Sequence, residues 1–161
     1  MKNFKISEAQ AIIRWFNDFR NERIKTMPIK AQWNILSNIK LLEPSVQKFE
    51  EFREGLLKDL QDEYFGEEKS DKDMIPQRDA DGNAVLDEDG NPVLEEGRTV
   101  KPEFMDEYKE KIEEINKSIR EVLAEESEYD FKELNVEDII DKLPDDTKVE
   151  LSDIEMISLI G

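Results

Sequence analysis

The sequence predicts a mainly α protein: a long antiparallel helical hairpin with a packed N-terminal helix, a small β-hairpin insertion and a short mixed C-terminal tail. Three observations predict it. An apolar stripe alternating between spacings of four and three runs from Ile35 to Leu60, the period of one helix face. A second stripe of helical spacing runs from Phe104 to Val122. Between them stands a tandem repeat rich in Asp, Gly and Asn, residues that form turns and interrupt helices. The chain reads as one domain over 1–161, helical over 4–64, with a turn-rich β projection over 66–100, a helix over 102–126 and a mixed tail over 127–161.

Each element has its own local cause. Ser7-Glu8-Ala9-Gln10 has the form of a capping box, in which the Ser hydroxyl and the Gln side chain satisfy each other's backbone N–H groups. The helix it opens carries Ala9, Ile12, Ile13, Phe16 and Phe19 on one face and is expected to end near Lys25 to Met27, before Pro28. The next stripe is Ile35, Ile39, Leu42, Val46, Phe49, Leu56 and Leu60, broken only by Arg53. It passes through Pro44, which falls on the position facing away from the seam. One helix from about Pro28 to Tyr64, curved or kinked at Pro44, is therefore expected. The alternative is two helices meeting at Glu43-Pro44.

The repeat follows, as Asp79-Ala-Asp-Gly-Asn-Ala-Val-Leu86 and Asp87-Glu-Asp-Gly-Asn-Pro-Val-Leu94. Each unit joins a turn to a short apolar pair, the signature of small β-hairpins or a projecting loop. After Pro102, Phe104, Tyr108, Ile112, Ile115, Ile119 and Val122 form the stripe of the last long helix. In the tail, Tyr129, Phe131 and Leu134 suggest an extended piece. Asn135 is placed to cap a short helix ending at Leu143-Pro144, Val149 and Leu151 read as extended, and Ser152-Asp-Ile-Glu155 reads as a second capping box.

Charge is divided unevenly. Met1 to Lys48 carries nine Lys/Arg against four Asp/Glu, whereas Phe49 to Gly161 carries fourteen against thirty-seven, within a total of −18. So acidic a body repels phosphate backbones and anionic membranes and attracts basic protein surfaces. The basic first helix is expected to pack against the acidic segment Glu103 to Glu126. Cys and His are both absent, which excludes disulfides, thiolate nucleophiles, His-based triads and HExxH zinc sites. No cofactor is expected. Glu8, Arg14 and Asp18 interrupt any signal-peptide core, and no uncharged apolar run reaches the length of a membrane span.

Several patterns invite a specific function. The Asp-x-Asp-Gly-Asn units begin like EF-hand loops, but the sixth and twelfth positions are Ala84 and Gly90 from Asp79, and Pro92 and Arg98 from Asp87, where the motif needs Gly and Glu. Paired carboxylates can hydrolyse glycosides without His, yet they need a concave pocket to raise one pKa, which a thin hairpin does not supply. Arg14, Arg20, Arg23, Lys25 and Lys30, with Trp15 and Trp33, resemble a nucleic-acid patch, against which the net charge argues. Two candidates for partner binding are left. Glu103, Asp106, Glu107, Glu110, Glu113 and Glu114 form an acidic ladder that can imitate a phosphate backbone, or simply a solvated helix face. Ile154, Met156, Ile157, Leu159 and Ile160 form an apolar tail that can dock on the hairpin or enter a groove on a partner.

Five segments in this order carry a resemblance: Ile6-Ser-Glu-Ala-Gln-Ala-Ile12, Met27-Pro-Ile-Lys-Ala31, Val46-Gln-Lys-Phe-Glu-Glu-Phe-Arg53, Asp87-Glu-Asp-Gly-Asn-Pro-Val93 and Val149-Glu-Leu-Ser-Asp-Ile-Glu155. The chain resembles a family of short acidic proteins of unknown function from phages and prophages of Gram-positive bacteria. The likeness spans nearly the whole chain, rests on caps, turns and stripes, and transfers no active-site residues. It implies a phage origin and a role in virion assembly or in interference with the host. The expected function is thus non-enzymatic protein binding, as a virion structural, assembly or accessory component. The alternative is an acidic inhibitor of a host defence or nucleic-acid-processing protein. The expected partner is a phage structural protein, a basic host protein or a further copy of the chain, without direct nucleic acid or membrane contact. The expected location is the bacterial host cytoplasm or the virion.

Overall fold

In the computed structural model, which describes every residue from Met1 to Gly161, the fold is mainly α. Five α-helices are joined by two two-stranded antiparallel sheets. In chain order the elements are β1 (Lys2–Lys5), α1 (Ile6–Phe19), α2 (Ile29–Tyr64), β2 (Ser70–Pro76), β3 (Leu94–Val100), α3 (Met105–Leu123), β4 (Glu126–Tyr129), α4 (Val136–Asp141) and α5 (Leu151–Ile160). Packing divides the chain into two compact units, where the sequence reading has one domain. The first unit comprises Met1–Phe52 with Ile119–Gly161, and the second Arg53–Ser118.

In the first unit, β1 pairs with β4 from Lys2 opposite Tyr129 to Lys5 opposite Glu126. Residues 4 and 5, expected as helix, are strand, because Phe4 turns inward against Tyr129 and Phe131. The same pairing moves the start of α1 to Ile6. Its first turn is closed by Glu8, whose carboxylate accepts from the Lys5 N–H at 2.7 Å, and not by a Ser7–Gln10 box. α1 also ends at Phe19, short of the expected Lys25 to Met27. A 3₁₀ turn over Arg23–Thr26 follows, held from outside the helix: Arg23 Nε lies 3.0 Å from Asp153, and the Thr26 and Thr147 hydroxyls meet at 3.0 Å. The core gathers Ala9, Ile12, Phe16 and Phe19 of α1, Ile35, Ile39 and Leu42 of α2, and Ile157 and Ile160 of α5.

α2 is continuous through Pro44, as the unbroken apolar phase predicts. Pro44 is solvent-exposed, so the carbonyl of Lys40, which loses its helical donor because proline has no N–H, can turn to water. One side chain on the inner face is polar. Asn38 is fully buried and fully used: its Nδ2 donates to the Lys132 and Ile160 carbonyls at 2.8 and 2.9 Å, and its Oδ1 accepts from the Lys132 N–H at 2.7 Å. It thereby fastens both the segment after β4 and the end of α5 to α2.

The tail is more helical than expected. Asn135 does cap α4, accepting from the Asp138 N–H at 3.2 Å. Leu151, expected as extended, begins α5, and the capping acid is Asp153 in place of a Ser152–Glu155 box. Its Oδ2 accepts from the Glu150 N–H at 2.9 Å. Lys2 closes the other end of α5, donating to the Ser158 and Leu159 carbonyls, a cation at the negative end of the helix dipole.

In the second unit, β2 and β3 pair over seven residues, Ser70 opposite Val100 to Pro76 opposite Leu94. The repeat between them makes turns, with Gly82 and Gly90 at φ 82° and 80°, the left-handed region that glycine enters without a Cβ penalty. Its eight-residue period closes a ring of three backbone hydrogen bonds, Val85 to Gln77, Gln77 to Val93 and Val93 to Val85, at 2.9, 2.7 and 2.8 Å. Its corners stand at steps of eight residues, Gln77 from just before the repeat and Val85 and Val93 from its two units. A second core joins Leu60 and Tyr64 of α2, Val100 of β3, and Tyr108, Ile112 and Ile115 of α3. α3 is shorter than the expected 102–126. Pro102–Phe104 is a 3₁₀ turn before it and Glu126 already belongs to β4.

Candidate interaction surfaces

The acidic ladder is a surface. Glu103, Asp106, Glu107, Glu110, Glu113 and Glu114 are all exposed. At 100° per residue the five of them on α3, Asp106 to Glu114, occupy an arc of about 120°, centred opposite the stripe of Tyr108, Ile112 and Ile115. Glu107 has a partner, Lys69, whose ammonium lies 3.8 Å away. That ammonium also sits 3.3 Å from Glu63 and over the rings of Tyr64 and Phe104, at 4.8 and 5.3 Å from their centroids. Beneath it, Tyr64 is fully buried, and its hydroxyl makes no hydrogen bond of good geometry, although the Glu107 carboxylate is the acceptor nearest in effect. Burial first, then Glu107 by hydrogen bonding and by charge, then the Glu63 and Glu114 carboxylates, push its pKa up to about 12.

The apolar tail is not a surface. Ile157 and Ile160 are fully buried, Ile154 and Met156 are half-buried, and only Leu159 of the five is exposed. α5 is thus docked on its own chain, the first of the two readings its apolar sequence offers. The node that holds it is Asp153, itself buried. It accepts from Trp15 Nε1 at 2.8 Å, pairs with Arg23, and caps its own helix. Ion pairs tie the N-terminal segment to the tail, Arg23 to Asp153 and Glu22 to Lys148 at 2.9 Å, and β1 meets the end of the acidic segment, Lys5 opposite Glu126. The Lys148 ammonium, by hydrogen bond and by charge, holds the Glu22 carboxyl below its ordinary pKa. Of the two tryptophans in the basic patch, Trp15 stacks on Phe19 at 4.9 Å and is committed to the core, whereas Trp33 is exposed.

The repeat offers turns in place of an ion cage. Asp79 Oδ1 accepts from the Asp81 and Asn83 N–H groups, and Asp87 Oδ1 from those of Asp89 and Asn91, at 2.9–3.0 Å. No three acidic side chains of the chain converge as metal ligands do. A groove of about 360 Å³ in the first unit is lined by Lys30, Asn34, Glu133, Asp138 and Lys142 among others. It mixes both signs of charge without a focused one.

Two apolar surfaces went unnoticed in the sequence. Ile29, Trp33 and Leu36 are 84%, 61% and 38% exposed on the outer side of α2. Their spacing of four and three is a second helical phase, hidden behind the stronger inner stripe. Leu86 and Leu94, the last residues of the two repeat units, are 58% and 52% exposed. Recurrence at the same repeat position is the signal that could have found them. No helix is long and apolar enough to cross a membrane. A scan against protein-family models and searches of curated proteins and of solved structures return no match for the chain.

Proposed function

We propose that this is a non-enzymatic protein-binding protein of phage or prophage origin, acting as a virion structural, assembly or accessory component in the host cytoplasm or in the particle. The observation that carries the reading is the pair of exposed apolar surfaces, at Ile29, Trp33 and Leu36 and at Leu86 and Leu94. Large apolar side chains grouped on one exposed face, as Ile29, Trp33 and Leu36 are at helical spacing on α2, mark a place where another protein belongs. We read α2 and α3 as the arms of a helical hairpin, supported by the packing of Leu60 and Tyr64 on Tyr108, Ile112 and Ile115. The resemblance to short acidic phage proteins, carried by the cap, turn and stripe segments quoted above, supports the origin.

A second reading is favoured by the exposed acidic arc of α3, which suits an inhibitor of a basic, nucleic-acid-handling host protein. The two part on salt, since apolar burial survives ionic strength and surface charge pairing does not. The tagged protein is used to capture partners from phage-infected host lysate, washed at low and then high salt. A portal, tail or capsid protein retained at high salt supports assembly. A basic nuclease or polymerase lost at high salt supports inhibition and overturns assembly. Recovery of no stoichiometric protein partner overturns both.

A further inference from the structure

We propose that two copies of this chain pair edge to edge through β3, antiparallel about a two-fold axis at Gly97, joining their β2–β3 ribbons into one four-stranded sheet. The inference rests on the protein-binding reading and names the partner as a second copy. The hydrogen-bond phase of the ribbon shows which backbone groups are open. At its two ends, the Lys101 N–H donates to the Lys69 carbonyl at 2.9 Å and the Gln77 N–H to the Val93 carbonyl at 2.7 Å. Bonded pairs alternate along an antiparallel ladder, so the odd-numbered residues bond inward, and Lys72, Met74, Glu96 and Arg98 turn their backbone groups outward. The β2 edge is blunted. The Ser70 N–H is taken by the Gly66 carbonyl, the Met74 N–H by Asp73 Oδ1 at 2.8 Å, and Pro76 has no N–H. The β3 edge has no such protection at Glu96 or Arg98, and a two-stranded ribbon by itself is marginal in water.

The side chains select a second copy in one register. About Gly97, Glu96 of each β3 stands opposite Arg98 of the other, and Glu95 opposite Thr99. Moving the axis to residue 96 or 98 sets Glu96 against Glu96 or Arg98 against Arg98, and like charges directly opposite are destabilising. Within its own ribbon Arg98 already stands opposite Lys72, a like-charge pair that an arriving carboxylate relieves. Its guanidinium is held by neutral oxygens, Ser70 Oγ at 2.7 Å and the Ser70 carbonyl at 2.8 Å, and keeps donors for that carboxylate. At the axis Gly97 has no side chain, and the Ile75 side chain lies where a Gly97 Cβ would stand. Two such positions across a closely spaced pair are about 4.5–5.5 Å apart, so the two isoleucines meet over the axis and form the apolar centre of the contact.

Charge reversal tests it. Sedimentation velocity of the full chain is recorded over a concentration series, in salt that screens the charge of −18 on each copy. The samples are the wild type, Glu96→Lys, Arg98→Glu, an equimolar mixture of these two, and Glu96→Pro. Circular dichroism melts check that each is folded; if Arg98→Glu is not, having lost its bonds to Ser70, the other two variants carry the test, since Glu96→Pro removes an outward N–H and no bond of the ribbon. The wild type is expected to form a dimer and nothing larger, because a two-fold contact uses the one open edge. Each reversal places like charges opposite one another twice and is expected to weaken the dimer at least about tenfold, as is Glu96→Pro. The mixture is expected to restore it as a heterodimer, since opposite charges then face each other at both positions. A wild type monomeric at every concentration or growing beyond the dimer, a reversal or Glu96→Pro that dimerises as well as the wild type, or a mixture no tighter than its components would each overturn the proposal. None of these results bears on capture of a different protein from lysate, so the protein-binding reading fails or stands separately.

Discussion

Replacing Asp153 with Ala should destabilise the first unit by about 4 kcal/mol. The carboxylate is 1% exposed and serves three elements at once: Trp15 of α1, Arg23 of the 3₁₀ turn, and the Glu150 N–H at the start of α5. Its loss leaves a partly buried indole N–H without its charged acceptor, about 1.5–3 kcal/mol. It also removes a helix cap, about 1 kcal/mol. The ion pair adds less than a wholly buried one, because the Arg23 side chain is 27% exposed and water relieves part of its stranded charge, leaving about 1 kcal/mol or below. Against a typical total of about 5–15 kcal/mol, such a loss is visible in urea unfolding followed by tryptophan fluorescence and circular dichroism. Trp15→Phe removes one of the three bonds and should cost about 1.5 kcal/mol. The double variant should cost less than the two singles together, since both delete the same bond. A loss below about 1 kcal/mol for Asp153→Ala, or strict additivity with Trp15→Phe, would refute the assignment of Asp153 as the fastening of α5.

Other perturbations follow from the same coordinates. Asn38→Ala strands three backbone groups of Lys132 and Ile160 and should cost about 3–5 kcal/mol, with earlier hydrogen exchange in α5 as the local readout. Pro44→Ala restores a helical donor at an exposed position and should stabilise the chain by about 1–3 kcal/mol, measured as a higher midpoint in urea. Tyr64→Phe should leave stability unchanged or raise it, because the hydroxyl it removes is buried without a hydrogen bond of good geometry. In the wild type the unfolded tyrosine ionises near pH 10 and the folded one near 12. The advantage is therefore complete below pH 10 and is lost as pH rises towards 12. Absorbance titration should show a late tyrosine that Tyr64→Phe lacks, and that variant should lose less stability across this window.

The local and periodic features of this chain were determined by the sequence itself. The apolar phase from Ile35 to Leu60 has the same period on both sides of Pro44, so it predicts one helix where a proline by itself suggests a break. Asp-Gly-Asn predicts its turns because a left-handed residue and an Asx side chain are needed within four residues of each other. Tertiary structure decided what lies far apart along the chain. β1 becomes a strand because Lys2 meets Tyr129, a pairing that a four-residue segment cannot announce. α1 and α5 begin earlier than their serine-led boxes suggest. In each, the acid in third helical position, Glu8 or Asp153, captures the N–H of the residue before the helix, and the adjoining β1 pairing and Trp15–Arg23 contacts fix that choice. The tail could be read as apolar and able to dock, but not what it docks on, since its cover is Asn38, Lys2 and Trp15 from three other segments. The acidic arc was legible and the outer face of α2 was not. A moderate stripe on a helix is masked by a stronger one on the opposite side, and only packing shows which of two apolar faces remains bare. Periodicity reveals that a face exists; the partner that covers it comes from elsewhere in the chain.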